Sequence, residues 1–221
     1  MKISLSRLLT IGGALVAVIG LGFLIWLYWP VLLAEYQYQF VWSKQAIPNV
    51  VGLVTEGDTN TQESQTQPEL VPVNTLFSIT IPKLHTSAPL IANVDSQDSQ
   101  AYQRALQKGV AHAAGSSVPN APGITFLFAH SSANQLIAKQ YNAVFYLLNK
   151  MEKDDDILVY YNGEPYYYKV TKLEVVNPDQ VDSLGQKTGP QQLVLMTCTP
   201  AGTTVRRLLV FADLVPTNPL P

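Results

Sequence analysis

The chain passes through three hydropathy regimes. From Leu8 to Ala34 no side chain is charged, and Leu8 to Trp29 is almost wholly Leu, Ile, Val, Ala, Gly and aromatic residues. A helix needs about 20 such residues to cross a bilayer, so residues 8–29 are expected to form one transmembrane anchor. Val31 to Ser43 could carry the helix a few turns past the interface. Gln45 to Pro72 holds Glu56, Asp58, Glu63 and Glu69 without any Lys or Arg, and Thr55–Glu69 has no apolar period. Such a segment buries too little surface to offset its ordering entropy, so residues 30–72 read as a juxtamembrane helix followed by a flexible acidic stalk. The competing reading is a structured arm over a binding site, because long loops often serve as lids.

From Val73 onward the pattern is that of short strands. Thr75 to Pro82 and Tyr166 to Val176 alternate apolar and polar positions, while Ile124–His130, Asp156–Tyr161, Gln192–Cys198 and Arg207–Val215 are short apolar runs. Tyr161-Asn162-Gly163-Glu164 has the composition of a type I′ hairpin turn. Two stretches carry a helical apolar face. Ser99–Lys108 groups Tyr102, Ala105 and Leu106, and Asn142–Met151 groups Val144, Leu147, Leu148 and Met151. Many short strands and few helices predict an all-β domain over residues 73–217, closed as a barrel or packed as a sandwich, with residues 218–221 as a tail.

Charge decides orientation and excludes some partners. Lys2 and Arg7 precede the apolar stretch and Glu35 follows it, so the positive-inside bias places the N-terminus in the cytoplasm and the β-domain outside the cell membrane. A cleaved signal peptide is the alternative, but the apolar run exceeds the usual h-region and no clear A-x-A site follows. From Val73 onward eleven basic and eleven acidic residues balance. No basic stripe is present, and nucleic acid is not an expected partner.

Cys198 is the only cysteine of the 221 residues, so it forms no disulfide within the chain. A thiol is a strong nucleophile only as thiolate, and a neighbouring base or cation must hold that state. Of His85, His112 and His130, the last ends an apolar strand, where a side chain leaves the core. Phe128 shares its face and would floor the site. Alone, His130 would more often be a satisfied structural histidine. Arg206 and Arg207 follow Cys198 across a small, Pro- and Gly-containing loop, so an antiparallel return brings one of them beside the thiol. A guanidinium there could stabilise a thiolate or an oxyanion; a solvated edge pair is the plain alternative.

FLFAHSS, followed about seventy residues later by LMTCTPAGTTVRRLLVFA, resembles the sortases, membrane-anchored cysteine transpeptidases of bacterial cell surfaces. The resemblance extends to ITIPKLHTSAPLI, GVAHAAGSSVPNAPGITFLFAH and FYLLNKMEKDDDILVYYNGEPYYYKV, covering roughly Thr75 to Val215. It implies a closed eight-stranded β-barrel with short helices. It also implies His130 as general acid/base, Cys198 as nucleophile and Arg207 as the site arginine, with Arg206 as fallback. Thr197 matches the family's Thr-Cys pair and would line the site. Ala129 stands where the family often has Gly, and Val194-Leu195 where it often has Thr-Leu. The implied reaction is attack on the Thr-Gly bond of an LPXTG-like sorting signal to give a thioacyl enzyme. An amine of a peptidoglycan precursor or a pilin lysine then resolves it. The aspartate-aromatic lid motif of pilus-building sortases is missing from the sequence, which favours a general anchoring role.

No cofactor is expected. Asp154-Asp155-Asp156 could suggest calcium, but adjacent carboxylates point apart and need further oxygen ligands; a solvated turn before a strand is the simpler reading. One Cys and three dispersed His lack zinc spacing. An L,D-transpeptidase would place its cysteine in a Ser-x-Gly-Cys context, unlike Thr197-Cys198-Thr199. A non-catalytic tethered β-domain that binds peptide remains the alternative of a different class.

Overall fold

The computed structural model describes residues 5–36, 70–131, 144–181 and 189–215. The chain divides into two compact units, Met1–Ser43 and Lys44–Pro221. The first contains helix α1, Leu5–Tyr36, which spans about 48 Å at 1.5 Å per residue. Its described side chains, those of residues 12–26, 29 and 36, are exposed. Among the described residues no helix is long and apolar enough to cross a membrane. Of the juxtamembrane segment and stalk expected over 30–72, residues 37–69 lie outside the described residues, as does the tail at 218–221.

The second unit contains eight strands: β1 Phe77–Ile81, β2 Thr86–Val94, β3 Val110–Ala113, β4 Ile124–Phe128, β5 Asp156–Tyr161, β6 Glu164–Val176, β7 Gln192–Thr199 and β8 Arg206–Leu214. They close a barrel in the order β1-β2-β3-β4-β7-β8-β6-β5, with β5 paired back onto β1. Closure removes the exposed edges that short apolar strands would otherwise offer to other chains. Ile79, Val110, Leu127, Leu193, Leu195 and Val210 are fully buried, and their burial is the main favourable term holding the barrel.

Two neighbouring pairs are parallel, β2 with β3 and β4 with β7. Parallel neighbours require a crossover, and helix α2, Ser99–Leu106, supplies it between β2 and β3. Asp98 caps α2 by accepting from the backbone N–H groups of Gln100 and Ala101 at 2.9 and 3.1 Å. Ala105 and Leu106 are buried, while Tyr102 stays half-exposed. Behind the helix the chain turns tightly into β3. A Cβ on Gly109 would lie 2.2 Å from the Pro89 carbonyl oxygen, so only glycine fits there. The β5–β6 turn matches expectation, with positive φ at Asn162 (52°) and Gly163 (89°).

Two features differ from the hydropathy reading. Strands β2 and β3 lie where no clear alternation points to a strand, because β2 carries Pro89 and β3 is only four residues, VAHA. The helix expected over Asn142–Met151 does not form in its described part. Residues 144–147 are turns and Leu148–Lys150 is one turn of 3-10 helix; residues 142 and 143 lie outside the described residues. Phe145, Leu148 and Met151 are the buried anchors, and their spacing of three suits a 3-10 turn, in which such positions eclipse.

The acidic run before β5 is held by lysines. Lys83 reaches Glu152 at 2.7 Å and Asp155 at 2.9 Å, and Lys169 reaches Asp156 at 2.8 Å. These pairs join the β1–β2 connection and β6 to the turn.

Candidate active site

Strand β7 positions the thiol. Leu193, Leu195 and Thr197 are buried on one face, so Cys198 falls on the opposite face with Val194 and Met196 and is half-buried. In the antiparallel β7–β8 ladder Cys198 pairs directly with Arg207, and Thr199 with Arg206. Directly opposed residues have Cβ atoms about 4.5–5.5 Å apart and point to the same side. Arg207 therefore shares the cysteine's face and is half-buried, while Arg206 is exposed on the other. The Arg207 guanidinium donates to the carbonyls of Thr204 at 3.0 Å and Arg206 at 3.3 Å, which ties its head to the β7–β8 loop.

The other neighbour of β7 is β4, in parallel register with Phe128 opposite Met196. The Ala129 N–H donates to the Met196 carbonyl at 3.2 Å. The buried Thr197 hydroxyl donates to the Ala129 carbonyl at 2.9 Å. These two bonds carry the pairing past the end of β4. Two residues beyond Phe128–Met196, the same register sets His130 beside Cys198, on strands about 4.8 Å apart. Burial alone lowers the His130 pKa from its ordinary value. Three residue types that can form a nucleophile, a proton carrier and a fixed cation thus stand on β7, just past the end of β4 and on β8, at one end of the barrel.

Residues 79–215, well over half of the chain, match the family model of the Sortase domain. The chain belongs to the sortase family. Its members are cysteine transpeptidases. Sortase D of Bacillus subtilis (strain 168) is 24% identical over 138 residues, which are 61% of this chain and 61% of that protein. Among solved structures, sortase C-1 from Actinomyces oris is 31% identical with a TM-score of 0.54, covering 65% of this chain and 76% of the other. A lid mutant of sortase A from Corynebacterium diphtheriae is 26% identical with a TM-score of 0.53, covering 66% and 73%. The eight-stranded closed barrel expected from the resemblance is the fold observed.

Within this sortase, the structure brings Cys198, His130, Arg207, Thr197, Phe128 and Ala129 to one place and sends Arg206 away from it. One side chain at the site was not singled out by sequence. Tyr102 of α2 stacks on Phe128 with ring centroids 5.4 Å apart and planes at 12°, and meets the His130 ring edge-on at 6.0 Å and 84°. The apolar face of α2 was legible, but nothing in the sequence indicated which strand it would cover. Phe128 is buried under this ring.

The remaining histidines are placed apart from the thiol. His85 ends the 3-10 turn Pro82–Leu84 with φ of 47°. His112, in β3, is buried and its ring is saturated. The Asn93 N–H donates to Nδ1 at 3.3 Å, which leaves Nε2 as the protonated nitrogen, donating to the Ser117 carbonyl at 2.9 Å with Ser116 Oγ also at 2.9 Å. Among the described residues no cluster of His, Cys, Asp or Glu has the arrangement of a metal site.

Proposed function

We propose that this chain is a sortase-type transpeptidase that cleaves an LPXTG-like sorting signal and transfers the acyl product to a cell-surface amine. Cys198 attacks the scissile carbonyl and forms a thioacyl enzyme. His130 moves the protons, giving one to the departing amine and accepting one from the incoming amine. Arg207 stabilises the oxyanion of each tetrahedral intermediate through a guanidinium fixed by the loop carbonyls. Thr197 and Ala129 keep β4 and β7 in register so that the two reacting side chains stay adjacent. The observation that carries this reading is the register itself, Arg207 opposite Cys198 on one side and, on the other, the Phe128–Met196 pair whose extension by two residues brings His130 beside the thiol.

The acceptor is an amine of a peptidoglycan precursor or a pilin lysine, and the donors are surface proteins carrying C-terminal sorting signals. The uncharged stretch Leu8–Trp29 of the sequence, preceded by Lys2 and Arg7 and followed by Glu35, supports membrane anchoring with the N-terminus in the cytoplasm and the catalytic barrel outside.

The test is incubation of the full chain with a panel of LPXTG-type peptides and an oligoglycine or lysine amine, with products read by mass spectrometry. The expected product is a peptide cut after Thr and joined to the amine. A wild-type protein that cleaves no member of the panel would contradict the reading.

A further inference from the structure

We propose that Tyr102 is a positioning residue of this site, whose aromatic ring sets the plane of the His130 imidazole and shields it from water. The inference rests on the reading of Cys198 and His130 as the reacting pair. It goes beyond that reading by assigning to helix α2 a part in the chemistry.

A histidine at a strand end has a poorly restrained ring. The torsion that orients an imidazole is broad and roughly two-fold, and β4 ends at Phe128. Backbone register therefore fixes the His130 Cα but not its ring. Among the described residues neither ring nitrogen of His130 has a hydrogen-bond partner, whereas its edge-on contact with Tyr102 is well formed at 6.0 Å and 84°. The tyrosine is itself held in plane by its stack on Phe128 at 12°. Phe128 and His130 lie on one face of the chain, two residues apart, so one ring of α2 spans both. An offset stack and an edge-on contact are the favoured aromatic geometries.

The position of Tyr102 relative to the thiol agrees. Its phenol pKa is raised by burial first and then by the charge of Cys198, with Arg207 acting in the opposite sense. The side chain is thus within electrostatic reach of both. Anchoring of α2 to the barrel is carried by Ala105 and Leu106, which are buried, so the half-exposed Tyr102 is left to face the site. Burial lowers the pKa of His130, and the Tyr102 ring lies against the imidazole it would help to bury.

The experiment compares Tyr102→Phe, Tyr102→Leu and wild type in the full chain. A positioning role predicts that Phe retains kcat within about threefold. Leu, which keeps an apolar anchor for α2 without an aromatic plane, is expected to lose about 10- to 100-fold in kcat with little change in KM. In the same proteins, labelled on histidine, the His130 titration read by NMR moves up toward the ordinary value in the Leu variant, with His85 and His112 unmoved as internal references. If kcat and the His130 titration are the same in Leu as in wild type, Tyr102 is only a packing residue. If Phe loses as much as Leu, the hydroxyl rather than the ring matters, and the proposal is overturned. Failure of wild type to act on sorting peptides would count against the transpeptidase reading alone. The His130 titration would still decide the role of Tyr102, since it needs no substrate.

Discussion

His112 and His130 lie eighteen residues apart, on neighbouring strands or just beyond them, and burial lowers the pKa of both. Their surroundings are otherwise opposite. His112 sits within β3 with both ring nitrogens occupied by Asn93, Ser117 and Ser116. His130 stands past the end of β4, against an aromatic ring and two residues beyond the Phe128–Met196 pair. Burial and a shifted pKa therefore do not distinguish a structural histidine from a chemical one here. The distinction is where the strand ends. A side chain inside a ladder is enclosed by its neighbours, while His130, placed just beyond one, has no hydrogen-bond partner for its ring nitrogens among the described residues.

Substitution at the two positions should give opposite signatures. His130→Ala is expected to reduce kcat/KM for a sorting peptide by more than about a thousandfold with little change in melting temperature. His112→Ala should lower the melting temperature clearly, because it empties a buried site and leaves the carbonyl of buried Ser117 without its donor, while the protein that remains folded turns over normally. Loss of activity in folded His112→Ala would break the comparison.

The arginines make the same contrast on a neighbouring strand. Arg207→Ala should cost about a hundredfold or more in kcat, whereas Arg206→Ala, one residue away on the exposed face, should keep most of its activity. Peptide turnover by the two variants decides it, and the reverse pattern would mean that the guanidinium opposite Cys198 is not the one used.

Thr197→Val tests the coupling between the strands. It removes the buried bond to the Ala129 carbonyl and should destabilise the fold by about 1–2 kcal/mol in denaturant melts. A several-fold drop in kcat should accompany it, as His130 loses its register with Cys198.

The smallest effect expected is on the pH dependence of stability. His112 has a folded pKa below its unfolded value of about 6.5, so between those two values the unfolded chain binds more protons. Its contribution is fully present above pH of about 6.5 and is lost as pH falls toward the folded pKa. His85 and His130 are shifted in the same direction. Melting temperature should therefore decline on acidification below neutrality. Comparison of wild type with His112→Gln should show a shallower, though not flat, decline in the variant.

Much of this site was legible in the sequence, and the reason is local. Cys198, Arg207 and His130 each sit at a strand terminus marked by an abrupt change from apolar run to small or polar residues, and one loop joins the strands carrying Cys198 and Arg207. Strand alternation alone allowed either arginine, and the direct pairing of Cys198 with Arg207 agrees with the choice that the family pattern made. What was not legible depends on crossing connections. Nothing in Thr86–Val94 or Val110–Ala113 alternates cleanly, because Pro89 interrupts one and the other is too short and small, yet their parallel pairing places α2. Tyr102 was visible as part of an apolar helix face, but its partners Phe128 and His130 belong to a strand reached only by that crossover. The Asn142–Met151 stretch misled because Val144, Leu147, Leu148 and Met151 fit a helical face, although Phe145, fully buried, does not.

The most direct test of the central claim is the mass of the enzyme after brief exposure to an LPXTG-type peptide without an amine acceptor. The account predicts an adduct equal to the peptide up to its Thr, mapped to Cys198, released by hydroxylamine and missing in Cys198→Ala. Cleavage of the peptide with no adduct on Cys198, or unchanged turnover by Cys198→Ala, would contradict it.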